Sequence, residues 1–150
     1  MLQIGTLSDT MERTRPYRPA IDLLAEADLR PTRQRLALAR LLFDGEDRHV
    51  TAEQLHAEAS RARVAVSLAT VYNTLHQFTA AGLLREVVVQ PGRSYFDTNT
   101  DDHHHFYHER TGELRDIAGD TLQVAGLPPP PPGARIARVD VVIRLADAET

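Results

Sequence analysis

Apolar residues recur at helical spacing through four stretches of the first half of the chain and then give way to strand-like runs. In "YRPAIDLLAEADLR", Ile21, Leu23, Leu24 and Ala27 predict a first helix. "PTRQRLALARLLFDG" carries Leu36, Leu38, Leu41, Leu42 and Phe43 behind Thr32, an N-cap candidate, and Gly45 follows its end. "TAEQLHAEASRA" opens on Thr51 with Gln54 three positions on, the spacing of a capping box. "SLATVYNTLHQFTAAGLL" opens on Ser67, sets Leu68, Val71, Leu75 and Phe78 on one stripe, and ends at Gly82. "LLREVVVQ" and "RSYFDTN" then read as strands joined by Pro91-Gly92, a hairpin signal. Helices followed by a hairpin are the order of a winged helix-turn-helix, in which the helix before the wing enters the DNA major groove.

The second half is more irregular. "HFYHERTGELRDI" predicts two short strands around Thr111-Gly112, and "AGDTLQVAGL" a short helix. The proline run 128–132 is a stiff connector. "ARIARVDVVIRLAD", with Ile136, Val139, Val141 and Ile143, predicts one long strand. The expected fold class is therefore α+β: a winged-helix domain over 1–96, with a flexible amino-terminal arm, and a small α/β domain over 97–150. A piece of about 50 residues buries little surface alone, which predicts that it pairs with a second copy as a homodimer.

Composition narrows the class. The chain has 150 residues, 42% of them hydrophobic, enough for a folded core. No apolar run approaches the roughly 18 residues of a membrane span, and the start lacks the apolar stretch of a secretory leader, so a cytoplasmic protein is expected. Without cysteine, disulfides and thiolate metal sites are excluded. The net charge of −4 conceals a pattern. Residues 13–40 hold seven arginines against Asp22, Glu26 and Asp28, and residues 60–85 hold three arginines and no acid. Residues 91–150 hold six arginines against ten acids. Basic patches in front of an acidic half point to two modules with different partners.

Four of the seven histidines fall within residues 103–108. In an extended strand His103 and His105 share one face and His104 takes the other. Two imidazoles with nearby carboxylates suit iron, manganese or zinc. On the helix from Ser67, Ala69, Thr70, Asn73, His76 and Gln77 face outward and Tyr72 flanks the apolar stripe. Thr70 and Asn73 are placed to bond bases or phosphates, and Arg33 and Arg35 to bind phosphates. A small metal-dependent hydrolase would use the same His/Asp cluster. That reading lacks a general base and leaves the helix-and-wing order unexplained, so the chain reads as a DNA-binding regulator and not an enzyme.

"LRPTRQR", "HVTAEQLHAEA", "SLATVYNTLHQFTAAGLL" and "HHHFYHERTGEL" stand in the order and spacing of the ferric uptake regulator (Fur) family, which the chain resembles over about residues 18–145. "RPTRQR", "VSLATVYNTL", "YFDTN" and the histidine triplet resemble most its Irr branch of iron-response regulators. The resemblance implies a dimeric transcription factor of iron and haem homeostasis that binds an A·T-rich palindromic operator. It implies that Tyr72 touches operator bases, an aromatic edge against a thymine methyl, and that Arg30 enters a narrow minor groove. It also implies a regulatory metal set of His49, Asp97, His103, His105 and Asp116, whose spacing and aspartates agree best with the peroxide-sensing PerR branch. A ligand joining His49 to His103 and His105 would then alter the spacing of the two readers. Haem is the effector implied by the Irr likeness; His103, His104 and His105 are the densest supply of axial imidazole, and Phe106 and Tyr107 beside them either cover the macrocycle or belong to the strand's core. Three departures stand out. "HERT" replaces the first CxxC pair, so no structural zinc held by four cysteines is expected; a Cys-Pro haem motif is missing; and Gln123 replaces the acid that would join His104 in a second metal site.

Overall fold

A computed structural model of the chain describes residues 19–149. Arg13, Arg15 and Arg18, and the arm expected to be flexible, lie outside the described residues. The chain divides into two compact units, the first ending at Thr100 and the second beginning at Asp101.

The first unit contains α1 (Ala20–Glu26), α2 (Arg33–Phe43), β1 (His49–Val50), α3 (Ala52–Arg61), α4 (Leu68–Ala80), β2 (Arg85–Gln90) and β3 (Arg93–Asp97). The expected caps define the helix starts. The Thr32 hydroxyl oxygen accepts the Arg35 N–H at 3.2 Å, and the Ser67 oxygen accepts that of Thr70 at 3.1 Å. At α3 the capping box is complete: Gln54 N–H donates to the Thr51 side chain, and Thr51 N–H donates to the Gln54 side chain. After α4 the chain reverses through Gly82 at φ +81, a conformation that costs glycine little. Leu24, Leu38, Leu42, Phe43, Leu55, Leu75 and Phe78 fill the core, with the rings of Phe43 and Phe78 6.1 Å apart.

Two details differ from the sequence pattern. Leu68 is 36% exposed, whereas Thr74 is buried beside Val71, Leu75 and Phe78. The stripe therefore begins one turn later, because residue 68 starts the helix beyond the edge of the core. The two-residue strand β1 was not predicted; it is too short to show a period. It completes an antiparallel sheet in the order β1-β3-β2. Thr98 and Arg48 exchange backbone and side-chain hydrogen bonds of 2.9 Å beside that sheet. Arg48 also makes a two-pronged ion pair with Glu58, one arm at 2.8 Å.

The second unit contains β4 (His105–His108), β5 (Leu114–Asp116), a single 3-10 turn (Gly119–Thr121) and β6 (Val142–Leu145), with strand order β5-β4-β6. β4 and β5 form an antiparallel hairpin whose turn passes through Gly112 at φ +72, and they pair His105 with Asp116 and Tyr107 with Leu114. β6 runs parallel to β4. Tyr107, Leu114 and Ile117 are buried. The helix expected in "AGDTLQVAGL" is only the 3-10 turn, since Val124 and Leu127 remain 41% and 48% exposed and no apolar face drives a helix there. The expected long strand shrinks to four residues. β4 offers only four partners, so Ile136 and its neighbours have no ladder to join, and Ile136 is 45% exposed. Among the described residues no helix is long and apolar enough to cross a membrane.

The shifted stripe yields a direct test. Leu75→Ala is expected to cost about 2–5 kcal/mol of unfolding free energy, and Leu68→Ala no more than about 0.5 kcal/mol, in urea melts. Equal losses would contradict the burial assigned to the two leucines.

Candidate metal centre and nucleic-acid interface

β4 divides the histidine triplet by its pleat. His105 is 2% exposed, and its Nε2 lies 3.2 Å from Asp116 Oδ1 on the facing strand. His103, two residues earlier, turns the same way, with Nε2 3.6 Å from that oxygen and its ring 4.5 Å from the His105 ring. Nδ1 of His103 is 2.6 Å from the Asp101 carbonyl oxygen. A carbonyl only accepts, so that nitrogen carries the proton and Nε2 of the neutral ring keeps its lone pair, the form a metal requires. His104 has the opposite arrangement: its Nδ1 accepts the Val141 N–H at 3.1 Å, which leaves the proton on Nε2.

Asp97, buried at the end of β3, accepts the Asn99 N–H at 2.9 Å. Within the second unit, His103, His105 and Asp116 each offer one ligand atom, and these atoms lie within 4.8 Å of one another. Donor atoms on one divalent ion, at about 2.0–2.2 Å from it, lie about 3 Å apart, so the separations around Asp116 fit a shared ion. Two imidazoles and a carboxylate suit iron, manganese or zinc. His49, the remaining member of the expected set, belongs to the first unit, where it pairs with Asp97 in the β1–β3 register and sets its ring edge-on to Tyr95 at 5.8 Å.

"HERT" builds a charge cluster that the sequence reading missed. Asp147 receives Arg110 Nε at 2.6 Å and Nη2 at 3.1 Å, and lies 3.1 Å from His108 Nε2. The Arg110 hydrogen bonds, and secondarily His108, hold the Asp147 carboxyl below its ordinary 3.8. Partners separated by 37 positions leave no local pattern.

On the reader side, Asn73 of α4 and Arg30 and Arg33 are exposed. Thr70 is half-buried, and its hydroxyl oxygen accepts from Ser67 at 2.9 Å. Arg35 is not a free phosphate arm. Its Nε and Nη2 donate to Gln77 at 3.2 and 3.0 Å, and its Nη1 donates to the Arg30 carbonyl at 2.9 Å. It ties the start of α2 to α4. Tyr72 is half-buried and donates its hydroxyl to Glu53 at 3.0 Å, while its ring stacks over His76 at 6.4 Å. The Glu53 hydrogen bond, with burial and the Glu53 charge, raises the phenol above 10.0. A cleft of about 330 Å³ beside it is lined by Thr51, Glu53, Tyr72, Gly92, Arg93 and Ser94.

Residues 26–126 match the ferric uptake regulator family. The chain is 35% identical over 103 residues to the ferric uptake regulation protein of Rhizobium leguminosarum, covering 68% of this chain and 72% of that one. It is 34% identical over 98 residues to the peroxide-responsive repressor PerR of Staphylococcus epidermidis, covering 65% of each. The fold is similar to that of the Pseudomonas aeruginosa ferric uptake regulator with manganese, with a TM-score of 0.67, 24% identity and coverage of 88% of this chain and all of that one. It is similar too to the Vibrio cholerae ferric uptake regulator, with a TM-score of 0.66, 23% identity and coverage of 84% and 98%. These likenesses establish the expected architecture, a winged helix followed by a small α/β domain.

Because Asp147 is held below its ordinary value, its contribution to stability is present above 3.8 and is lost as pH falls through the lowered folded value. Carboxyl NMR titration should place Asp147 below 3.8 in the parent and return it upward in Arg110→Ala. An unchanged midpoint in that variant would contradict the assigned cause.

Proposed function

The chain belongs to the ferric uptake regulator family, whose members are transcriptional regulators and not enzymes, and we propose that it is a dimeric, cytoplasmic, metal-responsive repressor. The hydrolase reading falls with that membership. The observation that carries the proposal is the convergence of His103 and His105 on one Asp116 oxygen, at 3.6 and 3.2 Å. Iron, manganese or zinc is the proposed ion, the metals that imidazole and carboxylate donors suit. When bound, a divalent ion supplies positive charge to Asp116 and to Asp97, the further carboxylate that the family resemblance implies. Asp97 and His103 are six positions apart, so binding both restrains residues 98–102. His49 is the fifth ligand of the proposed set.

α4 is the proposed reader of an A·T-rich palindrome, with Tyr72, Thr70 and Asn73 toward the major groove and Arg30 toward the minor groove. Arg33 contacts phosphate. Arg35 acts in this reading by holding Gln77 and the Arg30 backbone, and touches phosphate only with its remaining N–H groups. The second unit is the proposed dimerisation domain.

A second reading is peroxide sensing, favoured by the two aspartates and by the 34% identity to a peroxide-responsive repressor. Haem sensing, the finer Irr-like reading, has less to draw on. His104 already accepts the Val141 N–H, and Tyr107 is buried and cannot cover a macrocycle, which leaves His103 and His105, both turned to Asp116. A Soret titration of the parent and of the triple alanine variant at 103–105 tests it; equal affinities would remove histidine-ligated haem.

Two outcomes follow for DNA and one for oxidation. Tyr72→Ala should cost about 1–3 kcal/mol on an A·T-rich inverted repeat and little on scrambled DNA, whereas Arg33→Ala should weaken both alike. Electrophoretic or anisotropy titrations decide this, and a Tyr72→Ala protein indistinguishable from the parent would refute the reader assignment. Mn²⁺ should tighten parent binding to that repeat and leave His105→Ala unaffected. Fe²⁺ with peroxide should add one oxygen to His103 or His49 in mapped peptides; histidines left unmodified would remove the peroxide reading.

A further inference from the structure

The least expected group on the reader surface is an acid. Glu53 lies exposed in the first turn of α3. The capping box between Thr51 and Gln54 fixes the backbone on both sides of it. Its carboxylate receives the Tyr72 hydroxyl from α4 at 3.0 Å. The Tyr72 ring is braced a second time, by stacking over His76, whose own ring stands edge-on to buried Phe96 at 5.5 Å and 84°. Two supports from different elements thus hold one half-exposed aromatic ring in place before any ligand arrives.

As stability alone the arrangement makes little sense. An exposed hydrogen bond to a carboxylate adds little to folding. Residues 60–85 have three arginines and no acid, and the wing tip brings Arg93 to the same cleft. In such a basic setting a carboxylate opposes binding to any polyanion, because like charges a few ångströms apart repel even in water. The hydrogen bond offsets that opposition in one way only: it orders the ring, so that its side-chain entropy is lost before binding and not during it.

We infer that Glu53 is a specificity-determining positioning residue: it aims the Tyr72 ring at base edges while its charge weakens binding to every duplex alike. The inference rests on the reading of α4 as the helix that meets DNA. It predicts separable effects from one side chain. Removing the charge and keeping an acceptor should strengthen all DNA binding without loss of discrimination. Removing both should strengthen it and lose discrimination.

The probes are an A·T-rich inverted-repeat duplex isolated from a randomised pool by the parent protein and a scrambled duplex of the same length, at one fixed salt concentration. Glu53→Gln should raise affinity for both about fivefold and keep their ratio. Glu53→Ala should raise scrambled-DNA affinity similarly and cut the ratio about threefold to tenfold. Tyr72→Phe, which removes the hydroxyl without a charge change, should cut the ratio alike and leave scrambled-DNA affinity unchanged. Glu53→Ala in the Tyr72→Phe background should give no further loss of ratio. Ultraviolet titration of the phenols, taken as the difference from Tyr72→Phe, reads the contact without DNA: the Tyr72 phenol should titrate lower in Glu53→Ala than in the parent. A Glu53→Ala protein that keeps the parent ratio would overturn the inference, as would a Tyr72 titration unmoved by that change. Tyr72→Ala separates the two levels. If it too keeps the ratio, the reader assignment itself fails; if it lowers the ratio and Glu53→Ala does not, only the role of Glu53 fails.

Discussion

Strand β4 carries an imidazole into a site where His105 is 2% exposed, and a polar ring taken out of water costs free energy unless it meets a partner. That requirement organises the second unit. The pleat sends His105 and Tyr107 inward together, and the tight turn through Gly112 fixes the β4–β5 register that sets Asp116 opposite His105. His103 shares that face, and its Asp101 hydrogen bond chooses the tautomer that leaves Nε2 directed at Asp116. His104 is turned away into a backbone hydrogen bond with Val141, beside β6. A one-residue slip of β5 would remove the carboxylate from both rings and leave His105 buried without it.

The features readable in advance were those set by neighbours along the chain. Thr32, Thr51 and Ser67 cap the helices they precede because a cap involves residues three positions apart. The hairpin turn at Pro91-Gly92 and the alternation of the histidine triplet are equally local. What escaped the sequence depends on distant partners. β6 is short because β4 is short, and no periodicity in "ARIARVDVVIRLAD" records that. The Arg110–Asp147 and Tyr72–Glu53 pairs span 37 and 19 positions. Arg35 looked like a phosphate arm since its charge is visible in the sequence and its two acceptors are not.

The candidate site was legible to a similar degree. Spacing alone put His103 and His105 on one face, and the family resemblance supplied Asp116, whose carboxylate meets both rings. Asp97 and His49 had the same warrant, and they face one another in the β1–β3 register of the first unit. The first unit follows a parallel principle, with its reader held by side-chain bonds: Arg35 to Gln77, Glu53 to Tyr72, His76 to Phe96. In both units a polar side chain ordered by a second residue carries the proposed function, and the apolar core supplies the fixed distances that make such ordering possible.

In the proposed metal centre His103, His105 and Asp116 share one divalent ion. The most direct measurement is paramagnetic broadening of the histidine ring resonances in ¹⁵N-labelled protein titrated with substoichiometric Mn²⁺. The His103 and His105 rings should broaden first and together, while those of His56, held to the Val66 carbonyl at 3.1 Å, and His76 stay sharp. Uniform broadening of all the rings, or broadening that spares His103 and His105, would contradict the shared site.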